Sequence, residues 1–156
     1  MTEKYLWVES HAPQTIADCI LPADIKAAFK SYVETQEFPN LILAGPAGVG
    51  KTSLSKALCE EIGTDLLFVN ASLDRGIGDI RNTVAQFASA SSLFSMKKVV
   101  LLDEADNLTQ DSQKALRALI EEFQNHCRFI LTCNYPHNII DAIHSPSLRP
   151  VVTLME

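Results

Sequence analysis

Nine consecutive residues, Gly45-Pro46-Ala47-Gly48-Val49-Gly50-Lys51-Thr52-Ser53, have the types and spacing needed to hold a phosphate chain. Two glycines separated by four residues, followed at once by Lys and Thr, form the pattern G-x-x-x-x-G-K-[ST]. Glycine lets the backbone curl until consecutive N–H groups point at one anion. A helix starting directly after the loop adds the partial positive charge of its N-terminus. Lys51 then reaches the β- and γ-phosphate oxygens, and the Thr52 hydroxyl is a ligand for Mg²⁺. The ligands expected are ATP and Mg²⁺.

Such a site also needs a carboxylate near the metal and a group that orients or deprotonates the attacking water. Val99-Val100-Leu101-Leu102-Asp103-Glu104 provides both, an apolar strand ending in two acids. Asp103 is assigned to the Mg²⁺ shell and Glu104 to the water. Asn134 and Asn70 each follow an apolar run. Either one contacts the γ-phosphate or lytic water, or forms a turn, as Asn readily does. Asp106, three residues past Asp103, either tunes the site or starts the next turn.

Short apolar runs recur at Leu41 to Ala44, Leu66 to Val69, Val99 to Leu102, Phe129 to Thr132 and Val151 to Leu154. None alternates with polar residues, as expected of strands covered on both faces. Helical periodicity lies between them. Ile25, Phe29, Tyr32 and Val33 share one face, as do Leu116, Leu119, Ile120 and Phe123. Ser53 to Ile62 reads as the helix after the loop. Strands alternating with helices give right-handed βαβ units, and so a three-layer α/β fold around a five-stranded parallel sheet. Residues 1–40 read as an N-terminal extension with one helix, joined to the first strand through Gln36 to Asn40.

The 156 residues fit one domain able to bury a core without disulfides. A formal net charge of −6 excludes a bulk basic field for nucleic acid or anionic membrane, so any DNA contact must be local. Four cysteines show no C-x-x-C spacing, and three lie inside apolar patterns where reduced Cys behaves as a small hydrophobe, which points to a reducing compartment. No stretch approaches the ~20 apolar residues of a membrane span.

Together these stretches resemble an AAA+ type P-loop NTPase, and more narrowly the small subunits of sliding-clamp loaders of the replication factor C and T4-type phage group. Trp7, Val8 and Glu9 with Pro13 resemble the family's lead-in to the first helix. Asn70-Ala71-Ser72 with Arg75, Gly76, Ile77 and Arg81 resemble its second-strand region. Asp103-Glu104-Ala105-Asp106 looks like the D-E-A-D form of the hydrolytic motif, Gln113 to Arg117 the helix after it, and Cys133-Asn134-Tyr135 the first sensor.

The resemblance implies an ATP-hydrolysing subunit that loads a ring clamp at primer–template junctions, with other loader subunits, the sliding clamp and primed DNA as partners and no membrane. It implies that Asn134 senses the γ-phosphate, that Asn70 restrains Glu104 until DNA arrives, and that Arg81 contacts template phosphates. Arg117 either couples neighbouring subunits or is a solvated charge. The family's Ser-Arg-Cys motif, whose arginine reaches a neighbour's ATP, is replaced by Ser145-Pro146-Ser147-Leu148-Arg149-Pro150, in which Arg149 stands nearest. Before Pro13, the family's basic-aromatic-Arg run is replaced by Ser10-His11-Ala12. The family's helical lid and collar are not represented, so the isolated chain is expected to turn over ATP very slowly. The implied location is the cytoplasm of a prokaryotic or phage-infected cell, or a eukaryotic nucleus. Two other readings are a nucleotide-binding interaction module without effective turnover and another AAA+ machine, such as a helicase loader.

Overall fold

The computed structural model describes residues 15–46, 48–71, 76–90, 97–135, 138–139 and, for the backbone alone, 151–153. A short 3₁₀ turn, Ile16–Asp18, leads into α1 (Ala23–Thr35). There follow β1 (Leu41–Ala44), α2 (Lys51–Ile62), β2 (Asp65–Asn70), α3 (Ile77–Ser89) and β3 (Lys98–Asp103). After a second 3₁₀ turn, Ala105–Asn107, come α4 (Gln110–Phe123), β4 (Cys127–Cys133) and β5 (Val151–Thr153).

All five strands join one parallel sheet in the order β2-β3-β4-β1-β5. The strand count and direction agree with the sequence expectation. Each strand's side chains alternate between faces, so the sheet has two cores. On one face Ile42, Val100, Leu102, Phe129 and Leu131 pack with Ile80 and Val84 of α3 and Leu116, Leu119 and Ile120 of α4. On the other, Leu41, Leu43, Val99, Leu101 and Ile130 pack with Phe29 of α1 and Leu54, Leu58 and Ile62 of α2. Ile25, Tyr32 and Val33 lie against this second core, so the predicted stripe of α1 faces inward.

One expectation fails at β2. Its apolar run predicts cover on both faces, yet Leu66 and Leu67 are only partly buried and Phe68 is exposed. β2 is an edge strand, with a neighbour on one side only. The Lys56 ammonium lies over the Phe68 ring at 5.0 Å, so this exposed aromatic is partly covered by a cation.

Two side chains tie connections to the sheet. The Phe129 N–H donates to Asn40 Oδ1 at 2.9 Å, which extends the β1–β4 ladder by one side-chain bond. Buried Gln113 donates through Nε2 to the carbonyls of Leu108 and Asn138, fixing the chain on both sides of α4 and β4. Among the described residues no helix is long and apolar enough to cross a membrane. All four cysteines are buried and free, one more than the three that lie in apolar sequence patterns.

Candidate functional site

β1 is central and fully buried, so its carboxyl end is a fixed point from which the phosphate loop departs. The Gly45 N–H donates to the Cys133 carbonyl at 3.2 Å, carrying the β1–β4 pairing into the loop. Gly48 (φ 84°) and Gly50 (φ 89°) then take left-handed conformations that other residues adopt only with strain. No atom lies within 4 Å of where a Cβ would stand at either, so glycine is required here for backbone shape and not for want of room. α2 begins at Lys51, and its first helical bond runs from the Leu54 N–H to the Gly50 carbonyl at 2.8 Å. The amides of its first turn therefore have no acceptor within the helix and face the loop.

Lys51 is buried. Its ammonium donates to the carbonyls of Gly45 at 2.6 Å and Pro46 at 2.9 Å and to Asn134 Oδ1 at 2.8 Å. Burial pushes its pKa below the ordinary lysine value, and the nearby Asp103, Asp106 and Glu104 carboxylates oppose that shift. The Thr52 hydroxyl donates to Asp103 Oδ1 at 2.8 Å.

Asp103 closes β3, and Glu104 follows it in the left-handed region at φ 58° and ψ 45°. A non-glycine residue there is uncommon, and such strain concentrates at functional sites. The Glu104 N–H donates to the Thr132 hydroxyl at 3.0 Å, and that hydroxyl donates to Asp103 Oδ1 at 2.6 Å.

Asp106, left open by the sequence, holds the end of β4. Its Oδ2 accepts the N–H groups of Asn134 at 3.2 Å and Tyr135 at 3.0 Å. Asn70 ends β2 in register with Asp103, one residue before Glu104. Four strand ends thus converge at the carboxyl edge of the sheet, where open α/β sheets bind ligands.

Gly48, Gly50, Lys51, Thr52, Ser53, Asp103, Glu104, Thr132 and Asn134 line one cleft of about 270 Å³. Val49 lies against the core beneath it. A larger cleft of about 330 Å³ lies around the opposite ends of β3 and β4, beside Phe38, Lys98, Val99 and Cys127. Its lysines already serve the fold. Lys98 donates to the carbonyls of Phe87 at 2.6 Å and of Ala90, at the end of α3, and Lys97 to that of Gln36.

Not every predicted site residue joins the first cleft. Arg81 projects from α3 on the exposed surface, where it meets Glu122 of α4 at 2.8 and 3.1 Å. With both side chains about half exposed, the pair contributes about 0–1 kcal/mol. Arg117 pairs with Glu121 one turn along the same helix. Arg149 and Ala47 lie outside the described residues, as do the lead-in segment around Trp7 and Pro13 and residues Ser72 and Arg75. Thr132 was missed because threonine is a common strand residue, and nothing in its type separates it from Ile130 and Leu131.

The donors present suit Mg²⁺. The Thr52 hydroxyl donates to an Asp103 carboxylate oxygen at 2.8 Å, and both oxygens are hard ligands. Among the described residues no cluster of three or more His, Cys, Asp or Glu could cage a metal alone. A site with two protein oxygens, completed by water and phosphate, is what this ion commonly occupies.

Comparison with known proteins gives three findings. Residues 41–151 match the family described as ATPase family associated with various cellular activities (AAA). The chain is 43% identical over 145 residues to the replication factor C small subunit of Halobacterium salinarum, covering 90% of this chain and 45% of the relative. It is also 43% identical over 150 residues to replication factor C subunit 5 of Mus musculus, covering 92% and 44%. The chain therefore spans about half the length of the curated relatives it matches. Among solved structures, the Thermotoga maritima RuvB Holliday junction branch migration motor superimposes with a TM-score of 0.67 at 20% identity, over 92% of this chain and 48% of that one. At that identity the likeness concerns the fold alone.

Proposed function

This chain belongs to the AAA family of ATPases, and we propose from that premise that it is the ATP-binding and ATP-hydrolysing core of a sliding-clamp loader small subunit. The observation that carries the proposal is the meeting of Lys51, Thr52, Asp103, Glu104 and Asn134 around one cleft. The replication factor C names of the relatives support the narrower assignment. On this reading residues 1–156 form the AAA+ nucleotide-binding α/β domain, with residues 1–40 as its N-terminal extension.

Gly45 to Ser53 would hold the triphosphate through backbone N–H groups, with Lys51 leaving its carbonyl partners for the β- and γ-phosphate oxygens. Thr52 and Asp103 would hold Mg²⁺. The Thr52 oxygen can face a cation because its proton already points at Asp103. When bound, the ion neutralises charge on the phosphates. Glu104 would accept a proton from the water whose oxygen attacks the γ-phosphorus as the bond to the β–γ bridging oxygen breaks. Asn134 would exchange its hydrogen bond with Lys51 for one to the γ-phosphate or that water, and Asn70 would restrain Glu104.

Lys51 is the only cation among the described residues lining the cleft. A further positive group, worth about 10³–10⁵ in rate in such reactions, would come from a neighbouring subunit. In return Arg149 would serve the neighbour's site. Arg81 would contact template phosphates once released from Glu122. The partners are then other loader subunits, the sliding clamp and primed DNA, in the cytoplasm or nucleus.

The test is phosphate release by the chain assembled with partner loader subunits, with and without sliding clamp and primed DNA. Stimulation by clamp plus primed DNA is expected. Nucleotide binding without turnover in that assembly would instead favour an interaction module, and turnover indifferent to clamp would favour another AAA+ machine.

A further inference from the structure

We propose that Thr132 is a positioning residue of the nucleotide site, its single hydroxyl coupling the Asp103 carboxylate to the backbone of Glu104. The inference rests on the assignment of the cleft to Mg²⁺-nucleotide.

Thr132 is 1% exposed, on β4 between β3 and β1. Its side chain has no aqueous alternative, so both of its hydrogen bonds define its role. The Glu104 N–H can only donate, which makes the Thr132 oxygen its acceptor at 3.0 Å. The one hydroxyl proton is then directed to Asp103 Oδ1, 2.6 Å away. The same oxygen accepts the Thr52 proton at 2.8 Å.

A continuous chain of hydrogen bonds therefore runs from Thr52 through Asp103 and Thr132 to Glu104. It joins the two residues suited to the metal with the one suited to the water. Two consequences follow. With two hydroxyl donors on one oxygen, the Asp103 carboxylate is fixed in rotation. Glu104 sits at φ 58°, a conformation disfavoured for its type, and the Thr132 oxygen holds the amide that begins that turn. Partners of this kind, one bond behind a metal ligand, commonly affect metal affinity or activity by about 10–100-fold when removed.

Placement of Thr132 follows from strand alternation. Val99 and Leu101 of β3 and Ile130 of β4 face the α2 side of the sheet. Two residues further along each strand, Asp103 and Thr132 keep that side and meet beside the start of α2.

Thr132→Val keeps the branched shape and removes both hydrogen bonds, whereas Thr132→Ser keeps the hydroxyl. Binding of adenylyl imidodiphosphate is measured by calorimetry across a Mg²⁺ series and in its absence, with folding checked by circular dichroism. The valine variant is expected to need about 10–100-fold more Mg²⁺ for the same gain in affinity, with metal-free binding unchanged and serine restoring the wild-type profile. A folded valine variant with the wild-type Mg²⁺ profile overturns the inference. Should valine prevent folding, Thr132→Cys, a poorer donor and acceptor of similar size, is judged on the same criterion. Absence of Mg²⁺-nucleotide binding in the unaltered protein overturns the cleft assignment and this inference with it, a result distinct from a silent substitution in a binding-competent protein.

Discussion

The ammonium of Lys51 and the side-chain oxygen of Asn134, 83 residues apart in the chain, stand 2.8 Å from each other. Among the described residues lining the cleft, the one cation is thus held by the amide side chain that follows β4. The Asn134 side chain is thereby tied to the cation, while its backbone N–H is held separately by Asp106 Oδ2 at 3.2 Å.

Lys51→Ala is expected to lower ATP-analogue affinity roughly 100-fold, since a hydrogen bond to a charged group contributes about 1.5–3 kcal/mol and Lys51 makes more than one. The fold should persist because the sheet and α2 pack through other residues. Calorimetry beside circular dichroism checks both points; wild-type affinity in the folded variant would remove Lys51 from the phosphate site.

Glu104 has a disfavoured backbone beside its proposed chemical role, so its substitutions separate the two. Glu104→Gln keeps the strain and the shape, and should bind ATP yet stop hydrolysis in the assembled complex. Glu104→Gly should stop hydrolysis while relieving about 1 kcal/mol of left-handed strain, a rise in Tm of about 2–4 °C. A glycine variant that melts below the wild type would show that the conformation is not strained in this setting.

Asp106→Ala removes the acceptor for two backbone amides, those of Asn134 and Tyr135. Both lie near solvent, so water replaces part of the loss and the global cost is about 1 kcal/mol. Locally the effect is larger: exchange of these two amides, followed by NMR, should accelerate roughly tenfold, with Asp106→Asn restoring part of the protection. Unchanged exchange in the alanine variant would leave Asp106 without this role.

Cys133 bears on alkaline stability. Burial, helped by the Asp106 carboxylate and opposed by Lys51, pushes its thiol from an ordinary 9.0 up to about 11. The unfolded thiol ionises first as pH rises, so the native state then binds more protons and stability falls between these two values. From Cys133 alone the loss is about 1 kcal/mol at about pH 10. Cys19, Cys59 and Cys127 are raised in the same direction by burial. Denaturant unfolding at several pH values should show the decline, and Cys133→Ala should flatten part of it. An equal slope in that variant would exclude Cys133 as a source.

The phosphate loop and the acid pair were legible in the sequence because they are local. Spacing from Gly45 to Thr52 specifies its own backbone geometry, and an apolar run ending in Asp103-Glu104 places acids at a strand end whatever its neighbours. Gapless apolar runs also announced buried parallel strands. All five strands were legible as apolar runs, and β2 was misjudged in its burial because an edge position belongs to strand order, not to composition.

Tertiary structure decided what required register between distant strands. The order β2-β3-β4-β1-β5 brings Asp106 to Asn134, sets Asn70 beside Asp103 and turns Thr132 toward the Asp103 carboxylate and the Glu104 backbone. It also seats Arg81 against Glu122, on a helix layer away from the cleft. The sequence alone thus determined which groups can do chemistry. Which of them share a hydrogen bond depended on inter-strand registers: a one-residue slip turns a side chain to the opposite face, and no local residue pattern encodes that choice.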